Sequence, residues 1–192
     1  MLNREKVLNK SSIINQNGFN FEELYNISKI NLRGNAFDKE FINNTSIILN
    51  LTIPTEPNTS KSNNELKIIW LSPNEWLIKI YEKNKFDEIF LNLNRSLNSQ
   101  NTAVTDITEN RTILRLSGEY LYKLLSKFMI IDFDEVLKKE SAVAQTIFVK
   151  VPVLIVRNHQ QNEKERLDLY ANRSHAQYII NLLIDGSKNI DF

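Results

Sequence analysis

The chain has 192 residues, and its 24 Lys and Arg residues nearly balance its 23 Asp and Glu residues. A chain of this length can bury roughly 70% of the surface that its unfolded form exposes, so it needs no disulfide or metal to hold a core. It contains no cysteine, which excludes disulfides, thiolate nucleophiles and cysteine-ligated metals. The formal net charge of +1 argues against nucleic acid or an anionic membrane as a partner, because both bind through a basic field.

The beginning of the sequence, MLNREKVLNKSS, has basic residues but no apolar stretch of signal-peptide length after them. The longest apolar runs, 68–71 and 151–156, are far shorter than the roughly 20 residues of a membrane-spanning helix. We therefore expect a cytoplasmic protein with no membrane segment. Residues 1–25 show no sustained hydrophobic period, and we expect them to form a separate N-terminal arm.

Hydrophobic periodicity predicts alternating strands and helices between residues 26 and 108. The hairpin is the clearest element, because a Ser-Pro-Asn-Glu turn joins two apolar runs. Residues 53–64 hold two prolines and many Asn, Ser and Thr residues, so we expect a loop without regular structure. The predicted order is strand 27–32, helix 37–49, strand 66–71, strand 76–81, helix 86–97 and strand 102–107.

The second half of the chain shows a comparable mixture of patterns. Ser117 and Gly118 are placed where a helix would start, and Gly186 is placed where the last helix would stop. The predicted order is strand 112–116, a helix with its buried face at Leu121, Leu124, Leu125 and Phe128, a helical turn at 136–137, strands 144–149, 151–156 and 167–170, and a helix from Ser174.

The order of the first half is that of the split βαβ or ferredoxin-like fold, a four-stranded antiparallel sheet with both helices on one face. We therefore predict an α+β protein with two small ferredoxin-like units side by side. The predicted parts are the arm at 1–25, a first α+β unit at 26–108 and a second α+β unit at 109–192.

The residues needed for catalysis are scarce. The two histidines are His159, in a polar loop, and His175, near the start of the last helix, and no nucleophile motif accompanies either. There is no HExxH motif, no calcium loop and no pair of histidines at metal spacing. Four glycines leave no dinucleotide or triphosphate loop. The sequence thus predicts no catalytic, cofactor-binding or metal-binding residue.

Two tryptophans are candidates for contact with a partner protein. Trp70 and Trp76 flank the predicted hairpin turn, and Trp is enriched among the residues that dominate binding energy. Each could equally belong to the core of a hairpin that packs on helices. We expect at least one of them to contribute to a partner contact.

Three arginines, Arg111, Arg115 and Arg173, are further interface candidates. A guanidinium group can clamp a carboxylate or a phosphate through two hydrogen bonds. Arginines more often hold acidic side chains of their own fold, and the structural role is favoured here. The acids considered as partners are Asp106, Glu109 and Asp132.

Six segments resemble, in order, successive blocks of the gamma subunit of heterotetrameric sarcosine oxidase. They are INLRG at 30–34, IPTEPNT at 53–59, WLSPNEWLI at 70–78, DITENRTILRLSGEYLYKLL at 106–125, AQTIFVKVPVLIVR at 144–157 and LDLYANRSHAQYIINLL at 167–183. The resemblance covers about residues 26–186. It implies a fold related to the amino-terminal part of the glycine-cleavage aminomethyltransferases and of the folate-binding tRNA-modification GTPase.

The resemblance also implies a function. It places the chain in a complex with alpha, beta and delta subunits that oxidatively demethylates sarcosine to glycine and transfers the one-carbon unit to tetrahydrofolate. In that family FAD, FMN, NAD, zinc and the tetrahydrofolate site belong to the other subunits. The gamma chain is implied to be a non-catalytic, structural subunit of an oxidoreductase.

Two alternatives stay open at this point. One is the equivalent subunit of an N-methylglutamate dehydrogenase, because the substrate is selected by the flavin subunit. The other is a free-standing folate-binding or aminomethyl-transfer protein, which would need a carboxylate over a pocket, and Asp106 is the candidate.

Overall fold

The computed structural model describes residues 6–8, 13–97 and 100–188. The chain divides into two compact units. One unit, called the central unit here, is Asn26–Thr108, the range in which the sequence places the first α+β unit. The other, called the terminal unit, joins Met1–Tyr25 with Glu109–Phe192.

Eleven strands and five helices are formed by the described residues. In chain order they are β1 (Ile13–Gln16), β2 (Phe19–Glu23), β3 (Ser28–Arg33), α1 (Lys39–Leu49), β4 (Ser60–Ser62), β5 (Leu66–Ser72), β6 (Glu75–Ile80), α2 (Lys83–Ser96), β7 (Ala103–Asp106), β8 (Arg111–Ser117), α3 (Leu121–Leu125), α4 (Phe133–Val136), β9 (Val143–Phe148), β10 (Val151–Arg157), β11 (Arg166–Asn172) and α5 (Arg173–Ser187).

The central unit contains an antiparallel sheet in the order β4-β5-β6-β3-β7. Without β4, this order is that of the predicted ferredoxin-like unit. The expectation of a loop over 53–64 is wrong at Ser60–Ser62, which pair with β5. Pairing with a neighbouring strand supplies the backbone hydrogen bonds that the local residue types do not predict.

The core of the central unit lies between its sheet and its two helices. α1 begins at Asp38, whose Oδ1 accepts hydrogen bonds from the backbone N–H groups of Glu40 (2.9 Å) and Phe41 (3.4 Å). Phe41 then packs on Trp76, with 5.6 Å between the ring centroids. Phe37, which the pattern assigns to the helix, precedes the helix and is 92% exposed.

The terminal unit contains a six-stranded sheet in the order β1-β2-β8-β11-β10-β9, with antiparallel pairs throughout. β1 and β2 therefore differ from the expected separate arm, because β2 pairs with β8 and buries Phe19 and Phe21 in the core of this unit. Burial alternates along β2 with a period of two, but the strand has only five residues, which are too few for this period to be recognised in the sequence.

The first helix of the terminal unit is shorter than predicted. β8 runs on to Ser117, which pairs with Arg166, and the Gly118 N–H donates to the carbonyl of Glu165. The segment that the sequence assigns to a helix start therefore continues the sheet, and α3 begins at Leu121. Pairing between strands distant in the chain overrides the local capping pattern here.

Candidate interaction surface

The two tryptophans lie directly opposite each other on β5 and β6. Trp76 is completely buried, and its Nε1–H donates to the carbonyl of Pro54 at 2.8 Å. Trp70 packs on the same core and is half-buried. Trp76 is thus a core residue, whereas Trp70 keeps an exposed part that a partner can reach.

Arg115 forms a two-pronged ion pair with Asp168, an acid that the sequence analysis did not consider. Its Nε and Nη2 lie 2.8 and 3.2 Å from the Asp168 carboxylate oxygens. Burial alone would lower the pKa of Arg115, but the hydrogen bond and the charge of Asp168 raise it above the ordinary value. Asp168 is buried, so this pair joins β8 to β11 inside the terminal unit.

Arg173 and Arg111 lie near the ends of the same strands. Arg173 contacts Glu109, one of the predicted acids, at 3.5 Å. Arg111 is half-buried and borders a depression of about 290 Å³ whose lining also includes Tyr170, Asn172 and Ile147. Trp70 and Trp76 belong to the central unit, and the three arginines belong to the terminal unit. The interface role of these five residues stays a prediction.

The two histidines lie in different surroundings. His159 Nδ1 accepts a hydrogen bond from the backbone N–H of Arg166 at 3.2 Å, and burial lowers the pKa of His159. His175 has a buried Nδ1 that makes no hydrogen bond within the described residues. Across the part of the chain that the structure describes, no group of three or more acidic or histidine side chains could hold a metal ion.

A small cluster of titratable groups surrounds α3. Glu165 accepts a hydrogen bond from the Tyr122 backbone N–H, and burial raises the pKa of this carboxyl group. Burial also raises the pKa of Tyr122 to about 12. The Tyr122 ring stacks on Phe133, with 5.1 Å between the centroids. These groups are held by packing and by backbone contacts, as expected for a structural cluster.

Asp106, the carboxylate considered for folate binding, is exposed at the end of β7. Its Oδ1 accepts a hydrogen bond from the Thr108 backbone N–H at 2.8 Å, which is a local turn contact.

Several exposed apolar side chains were missed by the sequence analysis. Hydrophobic residues are normally assigned to the core, and nothing in the local pattern separates these from buried ones. The most exposed in the terminal unit are Ile130, Ile147 and Val149, and in the central unit Phe37, Ile47 and Leu91. These side chains and Trp70 are candidates for contact with a protein partner, each within its own unit.

Among the described helices, none is long and apolar enough to cross a membrane.

A match over most of the chain identifies its family. A family model described as "Sarcosine oxidase, gamma subunit family" matches residues 33–189. The chain belongs to this family. This match confirms the resemblance of the six sequence blocks to the gamma subunit of sarcosine oxidase.

Solved structures share the fold of this family member. A heterotetrameric sarcosine oxidase from Corynebacterium sp. U-96, in complex with pyrrole 2-carboxylate, matches with a TM-score of 0.80 and 17% identity, over 94% of this chain and 91% of that chain. The glycine cleavage system aminomethyltransferase T from Bartonella henselae matches with a TM-score of 0.61 and 14% identity. That match covers 88% of this chain but 46% of the aminomethyltransferase chain. No curated protein matches the sequence. The predicted α+β fold and its relation to the aminomethyltransferases are confirmed.

Proposed function

We propose that this chain is the non-catalytic, structural gamma subunit of a heterotetrameric sarcosine oxidase complex. The complex would oxidatively demethylate sarcosine to glycine and transfer the one-carbon unit to tetrahydrofolate. The family match over residues 33–189 carries this proposal. The family match favours neither of the two alternatives, which are the subunit of an N-methylglutamate dehydrogenase and the free-standing folate-binding or aminomethyl-transfer protein.

Alpha, beta and delta subunits are the partners in this proposal. FAD, FMN, NAD, zinc and tetrahydrofolate would be held by those subunits. The role of the gamma chain is then to keep the flavin-bearing and folate-binding subunits in a fixed relation. The cytoplasmic location expected from the sequence stays a prediction.

The exposed apolar side chains supply a physical reason for obligate assembly. Ile130 is completely exposed, and Ile147 and Phe37 are exposed over more than half of their surface. Burying such side chains on a partner releases water from apolar surface, at about 25 cal/mol per Å². Permanent hetero-complexes commonly bury more than about 2,000 Å² in this way.

Co-expression tests the proposal. The tagged chain is produced with the alpha, beta and delta subunits encoded in the same genome, and the purified material is examined for subunit content, flavin absorbance and sarcosine-dependent oxygen consumption. We expect one complex with all four chains, and loss or instability of that complex when this chain is omitted.

Two results would contradict the proposal. One is a fully active and stable complex that forms without this chain. The other is turnover of sarcosine by the purified chain alone, because a structural subunit has no reacting group of its own.

A further inference from the structure

The strand β9 forms one edge of the six-stranded sheet of the terminal unit. Its six residues, VAQTIF, carry no charge. The edges of the central sheet are shorter and carry charged residues, Lys61 in the three-residue β4 and Asp106 in the four-residue β7. Proteins normally protect an open edge with a charge, a proline or a short length, and β9 has none of these devices.

The backbone register shows which groups of β9 point away from the sheet. Ile147 lies opposite Pro152 on β10, and proline has no N–H to donate, so these two residues form a pair without hydrogen bonds. Ala142 lies five residues before Ile147, and its carbonyl accepts a hydrogen bond from the Arg157 N–H of β10. Since bonding to the neighbouring strand alternates along an antiparallel pair, residues an odd number of positions from Ile147 bond to β10. The N–H and C=O groups of Ile147 therefore face the outer edge, in the exposed part of β9, whereas Val143 at the other end of the strand is buried.

An exposed apolar side chain lies at the outer edge, beside a depression lined by both polar and apolar residues. Ile147 is 57% exposed and borders the depression that Pro152 and Tyr170 line. In a paired strand, the residue opposite Ile147 points to the same face of the sheet, so its side chain would lie over this depression. The depression, of about 290 Å³, is large enough for one branched apolar side chain.

The turn after β9 is strained. Val149 has a φ of +57°, which is a rare conformation for a β-branched residue. Its N–H donates to the carbonyl of Phe128 at 2.8 Å, two residues before the completely exposed Ile130. The strained turn thus presents Val149, which is 44% exposed, beside the segment that carries Ile130. Such strain persists where it serves a contact or a site.

We propose that the outer edge of β9 is a docking site for an extended apolar segment of another subunit, which adds to the terminal sheet as a further strand. This inference rests on the proposed function, because it requires the partners of a hetero-complex. Backbone hydrogen bonds to Ile147 would supply the pairing, and apolar contacts with Ile147, Val149 and Ile130 would supply the binding energy.

The charges near β9 favour a different chain over a second copy. Lys138 and Lys139 precede the strand and Lys150 follows it, with Glu140 as the acid among them. Two copies paired antiparallel through β9 would bring these cationic ends together, and like charges repel. The expected partner segment is therefore apolar in its centre and flanked by acidic residues.

Two variants of Ile147 test the site in the co-expressed complex. Ile147→Pro removes an N–H that makes no bond to β10, and Ile147→Lys adds a charge at the edge. We expect each to reduce recovery of the other subunits by about tenfold or more. Thr105→Lys, at an exposed position of the edge strand β7, is the matched control and should assemble like the wild type.

Hydrogen exchange gives a second readout that does not depend on a variant. In the assembled wild-type complex, we expect the Ile147 amide to exchange about a hundredfold more slowly than amides of the exposed loop around Lys164. Rapid exchange of this amide, or Ile147 variants that assemble like the wild type, would overturn the docking site and leave the proposed function intact.

Two further outcomes are decisive. Self-association of the chain through β9, seen as protection of the Ile147 amide without other subunits, would assign the edge to a second copy and overturn the inference. A wild-type chain that fails to assemble with the other subunits would overturn the proposed function and the docking site together.

Discussion

Gly186 lies inside α5, although the sequence predicts that it ends this helix. A Cβ atom at this position would lie 2.5 Å from Cζ of Phe128. The Phe128 ring is itself stacked on Phe148, with 5.0 Å between the centroids, so it has little freedom to move. Close packing, and not a helix end, is the reason for glycine here.

Substitution of this glycine should therefore lower stability. Alanine is the better helix former by about 1 kcal/mol, but its methyl group would overlap with Phe128. We expect Gly186→Ala to reduce the free energy of unfolding by about 1–3 kcal/mol in urea denaturation, which is the usual cost of overpacking.

The second substitution Phe128→Leu supplies the control for Gly186→Ala. Leucine is smaller than phenylalanine at the contact, so the double variant should recover part of the loss, as coupling between neighbours requires. If Gly186→Ala by itself increases stability, Gly186 has no packing role.

Glu165 should make stability depend on pH. Burial raises its pKa above the ordinary value of 4.5, although the hydrogen bond from the Tyr122 N–H opposes this. The charged form is thus disfavoured in the folded state, and the contribution of Glu165 to stability falls as the pH rises through the raised pKa. Glu165→Gln keeps an acceptor for Tyr122, so we expect a gain at pH 7 of less than about 1 kcal/mol, because the carboxylate is half-exposed.

Thermal unfolding between about pH 3 and pH 8 measures this effect, and the gain should disappear as the pH falls below the ordinary pKa of 4.5, because Glu165 then becomes protonated in both states. Glu119→Gln, which removes one carboxylate at an exposed position of the same unit, is the matched control for the loss of a charge. A Glu165→Gln variant that is less stable than the wild type at pH 7 would show that the charge itself is stabilising.

At the scale of elements, the turn between β9 and β10 has an unusual residue. A positive φ at the first central position of a two-residue hairpin turn favours glycine, yet Val149 occupies it. We expect Val149→Gly to increase the free energy of unfolding by about 1 kcal/mol, because relief of the strain exceeds the entropy cost of glycine.

The neighbouring residue provides the comparison. Lys150 has no positive φ, so Lys150→Gly should lower stability by about 0.5–1 kcal/mol in the same denaturation experiment. Equal losses from both variants would mean that Val149 is not strained.

The elements also show where local patterns suffice. The hairpin β5–β6 and the helices α2 and α5 follow from apolar periodicity and a turn motif, all of which are properties of neighbouring residues. β4 and the short α3 do not follow from local patterns. β4 forms because it pairs with β5, and α3 is short because β8 extends to Ser117. Such pairing joins residues that the local pattern cannot relate.

At the scale of the whole molecule, the N-terminal strands are part of the terminal unit. Phe21 is completely buried, and Glu23 accepts hydrogen bonds from the backbone N–H groups of Val7 and Leu8 at 2.9–3.1 Å. A chain that starts at Asn26 would expose the edge of β8 and open the core around Leu114. We expect this truncated chain to aggregate or to lose the cooperative unfolding of the terminal unit.

Circular dichroism and sedimentation of the truncated chain measure this outcome. Phe21→Ala provides a graded comparison, with an expected loss of about 3–5 kcal/mol. A soluble truncated chain with unchanged unfolding would mean that residues 1–25 act as the separate arm that the sequence suggests.

The interface candidates show the limit of sequence reasoning about the site. Trp70 and Trp76 are equivalent in sequence, since both flank the same turn, yet Trp76 is completely buried and Trp70 is half-buried. Arg115 pairs with an acid of its own fold, Asp168, which lies 53 residues further along the chain. Partner choice over such a distance depends on strand register, which one sequence does not reveal.

The sequence by itself determined the α+β class, the order of the clearest elements and, through six blocks of residues, the family. These depend on local periodicity and on residue types, which are readable along the chain. Only the tertiary structure decided that β1 and β2 complete the terminal sheet, that Gly186 serves packing and that β9 is left as an uncharged edge. The physical reason is that sheet pairing and side-chain packing join residues far apart in sequence, and their free energies outweigh local preferences.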